Sequence, residues 1–180
     1  KIVLFGDSLM AGYGLQAEYH LSRVLENSLA TQGFKVKVVN ASVSGDTSAG
    51  GLNRIHWTLS EEDIDILILG LGANDMLRGI HPKETEKNLN KMIKLSLDKK
   101  INVILAGMIA PNSYGRNYKK KFDKLYKSLS DKYNLSFIPF LLEGVALKPE
   151  FNLQDGMHPN EKGVKIISNT IEKKIIKLLN

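Results

Sequence analysis

Three residues of this 180-residue chain have the types and spacing of a nucleophilic relay. Asp155 and His158 stand three apart in Asp155-Gly156-Met157-His158-Pro159. One turn can therefore present a carboxylate to one imidazole nitrogen while the other nitrogen faces outward. Ser8, in Gly6-Asp7-Ser8-Leu9, follows a short apolar run, where its hydroxyl would project from the edge of a sheet. A serine hydroxyl needs a base to become a nucleophile; His158 would serve, with Asp155 fixing its tautomer and stabilising the imidazolium. Acyl transfer also needs donors for the developing oxyanion. The backbone N–H groups of Ser8 and Gly45 and the side-chain amide of Asn74 would together make a three-donor hole.

These residues are useful only if the fold gathers them. Short apolar runs alternate with longer amphipathic stretches, the pattern of a parallel sheet covered by helices. Five strands are predicted, at Ile2–Phe5, Val36–Asn40, Ile64–Leu69, Asn102–Met108 and Ser136–Pro139. Helical periodicity runs over Tyr19–Thr31, Ala49–Leu59, Pro82–Lys99, Asn117–Lys132 and Asn160–Leu179. No repeat, low-complexity tract or Pro/Ser-rich linker divides residues 1–180, so the expectation is a single domain, an α/β three-layer α/β/α sandwich on a five-stranded parallel sheet. In such sheets ligands bind beyond the carboxyl ends of the strands. The segments there are Gly6 to Gly12, Ser44 to Thr47, Gly72 to Asp75 and the stretch ending Asp155 to Asn160, all read as loops. Each contains one of the residues singled out above.

Taken singly, each has an ordinary structural reading. Ser8 suits a turn or cap, Asp155 and Asn160 suit the turn and N-cap before the last helix, Gly45 and Gly72 suit positive φ, and Asn74 suits an Asx-turn. Their joint occurrence on separate loops of one sheet edge favours the catalytic reading. Asp7, Asp46 and Asp75 are expected to brace these loops; His20, His56 and His81 are expected to be surface or packing residues. There is no Gly-x-Ser-x-Gly elbow, complete P-loop, dinucleotide fingerprint or His-x-x-x-His pair, and the site is expected to need no metal and no cofactor.

Composition narrows the classes further. Hydrophobic residues make up 43% and charged residues 24%, the balance of a soluble globular chain. There is no cysteine, which excludes disulfides, thiolate metal sites and a cysteine nucleophile. The apolar runs at Ile64–Leu71 and Val103–Ala110 are far shorter than the roughly 18 residues of a membrane span, so no stable membrane insertion is expected. The net charge of +6 comes mostly from lysines spread along helices. With no aromatic stripe beside it, it reads as solvated helix faces rather than a nucleic-acid site. The chain opens at Lys1 on an apolar strand, which suggests that a preceding segment, a signal peptide among the candidates, has been removed or lies outside the sequence.

Gly6-Asp7-Ser8-Leu9, Gly45, Asn74 in Gly-x-Asn-Asp and Asp155-x-x-His158-Pro159 together resemble the four blocks of the SGNH, or GDSL, hydrolase superfamily, in order and over essentially the whole chain. More narrowly, Asn40 to Ser48, Asn74 to Gly79, Tyr114 to Tyr118 and Leu147-Lys148-Pro149 resemble its bacterial acyl-CoA thioesterase, lysophospholipase and arylesterase branch. The resemblance implies the flavodoxin-like SGNH fold and a mostly periplasmic location, periplasmic or secreted here, with composition leaving the cytoplasm open. It implies Ser8 as nucleophile, His158 as base, Asp155 as its orienter, and Ser8, Gly45 and Asn74 as oxyanion donors. Ala73 departs from the second glycine common in that branch, and the first helix lacks the usual proline. Both departures bear on substrate range rather than on reaction type.

The expected function is a serine esterase that hydrolyses oxygen esters and thioesters of acyl groups, with a small-molecule acyl ester or thioester as its partner and a monomeric state. Leu77, Pro111 and Tyr114 are the expected substrate-binding residues, among the apolar side chains Ile80, Met108, Ile109 and Met157 that would line an acyl channel. The rivals are a carbohydrate O-deacetylase of the same superfamily and a non-catalytic flavodoxin-like binding module.

Overall fold

The computed structural model describes residues 1–179. The strands are β1 (Ile2–Gly6), β2 (Val38–Asn40), β3 (Ile66–Gly70), β4 (Asn102–Ala106) and β5 (Ser136–Ile138). The helices are α1 (Ser8–Ala11), α2 (Leu21–Thr31), α3 (Ser48–Thr58), α4 (Ala73–Leu77), α5 (Pro82–Asp98), α6 (Arg116–Tyr133) and α7 (Glu161–Leu179). All strand pairs are parallel and the order is β2-β1-β3-β4-β5. The central β1 and β3 are apolar at nearly every position and buried throughout, as strands covered on both faces must be. The edge strands β2 and β5 have three residues each, which limits the unpaired ladder they expose.

The topology explains the layers. From β1 the chain crosses by α2 to β2 and then returns by α3 across β1 to β3, so right-handed crossovers put α2 and α3 on opposite faces. Helix α7 packs on α2, while α3, α5 and α6 pack side by side. Strand order reverses between β1 and β3, and that switch point opens a crevice at their carboxyl ends.

The expected architecture and all five strands are present, with shifted boundaries. Strand β2 begins at Val38, whose N–H is taken by Glu26 Oε2 at 2.7 Å, instead of at Val36. Strand β3 begins two residues late, after Asp63 at φ 62°. Strand β4 ends at Ala106, because Gly107 donates to Ile138 O and accepts from Leu141 as the chain leaves the ladder. Strand β5 stops before Pro139, which has no N–H to pair. Tyr19 lies in a 3₁₀ turn and Asn160 just outside α7, where its Oδ1 accepts from the N–H groups of Lys162 and Gly163 as an N-cap. Two short helices, α1 and α4, occupy segments expected to be loops. They are four and five residues long, too short for an amphipathic period to register.

Candidate active site

Ser8 is the first residue of α1, and packing beneath the helix fixes its place. Met10 is fully buried, seated over the paired glycines Gly6 and Gly70. A Cβ on either glycine would come within 2.6 or 2.5 Å of the Met10 sulfur. The small residues ending β1 and β3 thus let α1 sit down on the sheet at the switch point. Gly12 closes the helix in the left-handed conformation, φ 88°. Asp7 caps its start, with Oδ1 accepting from Leu9 N at 3.0 Å. Ser8 therefore presents a first-turn N–H without an intrahelical partner, while its side chain points out of the crevice floor toward the last loop.

The other Asp7 oxygen is buried without a hydrogen-bond partner. Burial pushes the Asp7 carboxyl up to about 6, with Asp46 and Asp75 adding to the rise and the Leu9 N–H and His158 opposing it. A carboxyl whose folded pKa is raised destabilises the fold as pH climbs from about 4 through 6, and the full cost, about 3 kcal/mol, is present above that window. Asp7→Asn keeps an acceptor for Leu9 and never ionises. Its melting temperature relative to wild type should rise by about 5 to 10 °C between pH 4 and pH 7.5 in paired thermal melts. A constant difference across that range would contradict the burial of an ionising Asp7.

The loop before α7 brings the remaining relay to Ser8. His158 Nε2 lies 2.9 Å from Ser8 Oγ, and His158 Nδ1 lies 2.7 Å from Asp155 Oδ2. Asp155 Oδ1 accepts from the N–H groups of Met157 and His158, at 2.8 and 2.9 Å. One carboxylate thus closes its own turn and aligns the imidazole. These three hydrogen bonds, those of the backbone first, hold the Asp155 carboxyl down at about 2. Asp155 is an acceptor at any working pH, which places a proton on His158 Nδ1 and leaves Nε2 free to accept from Ser8.

The loops after β2 and β3 are tied together beside Ser8. Gly45 adopts φ 80° and its carbonyl accepts from Arg78 at 2.9 Å. Asn74, in the first turn of α4, donates one amide hydrogen to Asp46 O at 2.9 Å, leaving the other uncommitted. Asp75 is buried and receives Ser48 N at 2.7 Å, the Ser48 hydroxyl, and Thr85 Oγ1 at 3.1 Å. Asp46 is paired with Arg54 at 2.7 Å. Asp46 and Asp75 brace the loops as expected. Gly72, at φ 121°, leaves room that a Cβ would take from the Tyr126 hydroxyl, 2.1 Å away.

The structure brings Ser8, Asp155 and His158 into one hydrogen-bonded chain and joins the Gly45 and Asn74 loops through Asp46. The expected substrate-binding residues lie on the segments that follow β3 and β4, Leu77 at the end of α4 and Pro111 and Tyr114 in the connection from β4 to α6. Leu77 and Pro111 are exposed, and Tyr114 is half-buried against Tyr118, with ring centroids 5.5 Å apart. His81 caps α5 and His20 packs against Gly12, in line with structural roles. Two contributors escaped the sequence reading. Arg54 links three segments, with Nε on Asp46, Nη1 on Ala41 O at 2.5 Å and Nη2 on Gly6 O at 3.2 Å, above the Phe5 ring. Tyr13 lies against the His158 ring. Neither belongs to a spacing pattern; only the glycines flanking Tyr13 hinted at a built turn.

Comparison with known proteins agrees with this geometry. Residues 4–166 match the model of the GDSL-like lipase/acylhydrolase family. An arylesterase of Vibrio mimicus is 37% identical over 179 residues, 99% of this chain and 90% of its own length. The thioesterase 1/protease 1/lysophospholipase L1 of Escherichia coli K12 is 34% identical over 99% of this chain and 85% of its own. The crystal structure of the psychrotrophic esterase EstA of a Pseudoalteromonas species, inhibited by monoethylphosphonate, superposes with a TM-score of 0.93 at 32% identity, covering 99% of this chain and 98% of that one. With this match in sequence and fold, and with a serine, a histidine and a carboxylate joined at the switch point, the chain belongs to the GDSL-like lipase/acylhydrolase family and is an ester-hydrolysing enzyme.

Proposed function

We propose that residues 1–180 act as one catalytic domain that cleaves oxygen esters and thioesters of acyl groups through an acyl-enzyme on Ser8. The observation carrying this reading is the unbroken Asp155–His158–Ser8 hydrogen-bond chain. Ser8 Oγ attacks the acyl carbonyl carbon while His158 Nε2 takes the hydroxyl proton. The carbonyl oxygen becomes an oxyanion held by the N–H groups of Ser8 and Gly45 and the free amide hydrogen of Asn74. Collapse breaks the bond to the alkoxide or thiolate, which leaves with the proton from His158. Water then repeats the attack on the acyl-Ser8 ester, with His158 again as base, and releases the carboxylic acid.

The apolar side chains around this edge support an acyl chain as the part bound. Leu77, Ile109 and Met157, on the segments after β3, β4 and β5, are 53%, 41% and 53% exposed. Each buried methylene contributes about 0.8 kcal/mol, so each two added carbons should raise kcat/KM roughly tenfold until the wall is covered. Medium or long acyl groups should outrun acetyl in a hydrolysis series, and esters and thioesters of one acyl chain should both be cleaved. Changing the size of Leu77, Pro111 or Tyr114 should move the optimum without abolishing acetyl-ester hydrolysis. An optimum fixed at acetyl, or a preference for acetylated sugars over every acyl thioester, would overturn the acyl-chain reading and favour a carbohydrate deacetylase.

The resemblance to a mostly periplasmic branch supports a periplasmic or secreted location. Among the described residues no helix is long and apolar enough to cross a membrane.

A further inference from the structure

The His158 imidazole is hydrogen-bonded at both ring nitrogens, by Asp155 and Ser8, and its side chain is 16% exposed although the turn that carries it is open. Asp155, Gly156 and Met157 are all exposed, and Gly156 is in the left-handed conformation. Hydrogen bonds at the two ring nitrogens define an axis but resist rotation about it poorly. Something must close one face of the ring. Tyr13 does so, its ring centroid 4.3 Å from that of His158 with the planes 34° apart.

The turn carrying Tyr13 is built for this placement. Gly12 and Gly14 on either side both have positive φ, 88° and 72°. A side chain at Gly12 would strike the His20 ring at 2.3 Å, and one at Gly14 would approach Leu153 at 2.8 Å. His20 in turn has Nε2 3.2 Å from Leu15 O, closing the turn from below. The turn is thus wedged between α1, which carries Ser8, and the loop that carries His158. Tyr13 is itself 51% exposed, so burial of its own ring does not account for its position.

We infer that Tyr13 is a positioning residue for catalysis, a tilted aromatic clamp that keeps the His158 imidazole aimed at Ser8 and favours its imidazolium form during each proton transfer. An aromatic face attracts a cation, and the ring becomes one in the tetrahedral intermediates. The other charged or titratable groups facing His158 are the Asp155 carboxylate on its own loop and the buried Asp7 carboxyl behind Ser8. Tyr13 is the uncharged group against the ring.

This inference rests on His158 being the general base, and one set of variants separates the two. With a soluble short-chain ester, Tyr13→Leu keeps apolar bulk but loses the aromatic face. It should lower kcat about two- to fivefold, leave KM within about twofold, and move the midpoint of the acid limb of kcat/KM down by about half a pH unit. The direction follows because a less favoured imidazolium surrenders its proton at lower pH. Tyr13→Phe should restore kcat and the midpoint, since the hydroxyl takes no part in the stack. His158→Ala, measured alongside, should abolish turnover; if it does not, the base assignment fails and the role of Tyr13 fails with it. If His158→Ala is inactive but Tyr13→Leu shows a changed KM with unchanged kcat and midpoint, Tyr13 is a substrate-binding wall and only the present inference falls. A loss in Tyr13→Phe equal to that in Tyr13→Leu would likewise overturn it, because the hydroxyl and not the ring face would then be the active part.

Discussion

Ser8→Ala is expected to reduce kcat by about 10⁴- to 10⁶-fold, the cost of losing a member of a nucleophilic triad, while the protein stays folded. Ser8 is partly exposed on a helix whose anchor is Met10, so its hydroxyl bears no part of the core. A fluorophosphonate should add covalently to Ser8 of the wild-type enzyme and stop hydrolysis with a stoichiometry of one, read by intact-protein mass and peptide mapping. His158→Ala should match Ser8→Ala. Asp155→Ala should retain more activity, since the carboxylate orients and stabilises without taking the proton. Because its hydrogen bonds hold the Asp155 carboxyl at about 2, that group stays an ionised acceptor, and kcat/KM should fall on acidification as the base takes up a proton. Labelling of another residue, near-normal turnover of Ser8→Ala, or a flat profile from pH 5 to 8 with chemistry rate-limiting would each refute the acyl-enzyme assignment.

Asn74→Ala is expected to lower kcat about 10²- to 10³-fold with KM nearly unchanged, the effect of removing one oxyanion donor. Its amide is held by the 2.9 Å bond to Asp46 O, which fixes the side chain before substrate arrives, so the remaining hydrogen is preorganised. The control is stability. Asp46 is anchored independently by Arg54 and the start of α3 by Asp75, so the loop should survive the truncation and the melting temperature should change little. A rise in KM at constant kcat would make Asn74 a substrate-binding residue instead, and a large drop in melting temperature would make it a structural brace.

Legibility in the sequence followed the range of the interaction concerned. Strands β1, β3 and β4 could be read because a strand covered on both faces must be a continuous apolar run, and α7 because one stripe of Val164, Ile167, Ile171 and Ile175 faces the core. Asp155 and His158 could be read because a three-residue spacing confines a carboxylate and an imidazole to one turn, which is local geometry. Pairing them with Ser8, 150 residues before His158, rested on the rule that loops gather at the carboxyl edge of a parallel sheet. Helices α1 and α4 were hidden, since their stability comes from Met10 on two glycines and from the buried Asp75 rather than from periodicity. The order β2-β1-β3-β4-β5 put the reversal beside Ser8, and side-chain packing across it put Arg54 between three backbone segments and Tyr13 on the face of His158. Residue types and near spacings are properties of the chain, and they determined the chemistry available; which distant side chains meet, and at what angle, depends on how the buried surfaces fit together, and that was decided only when the chain packed.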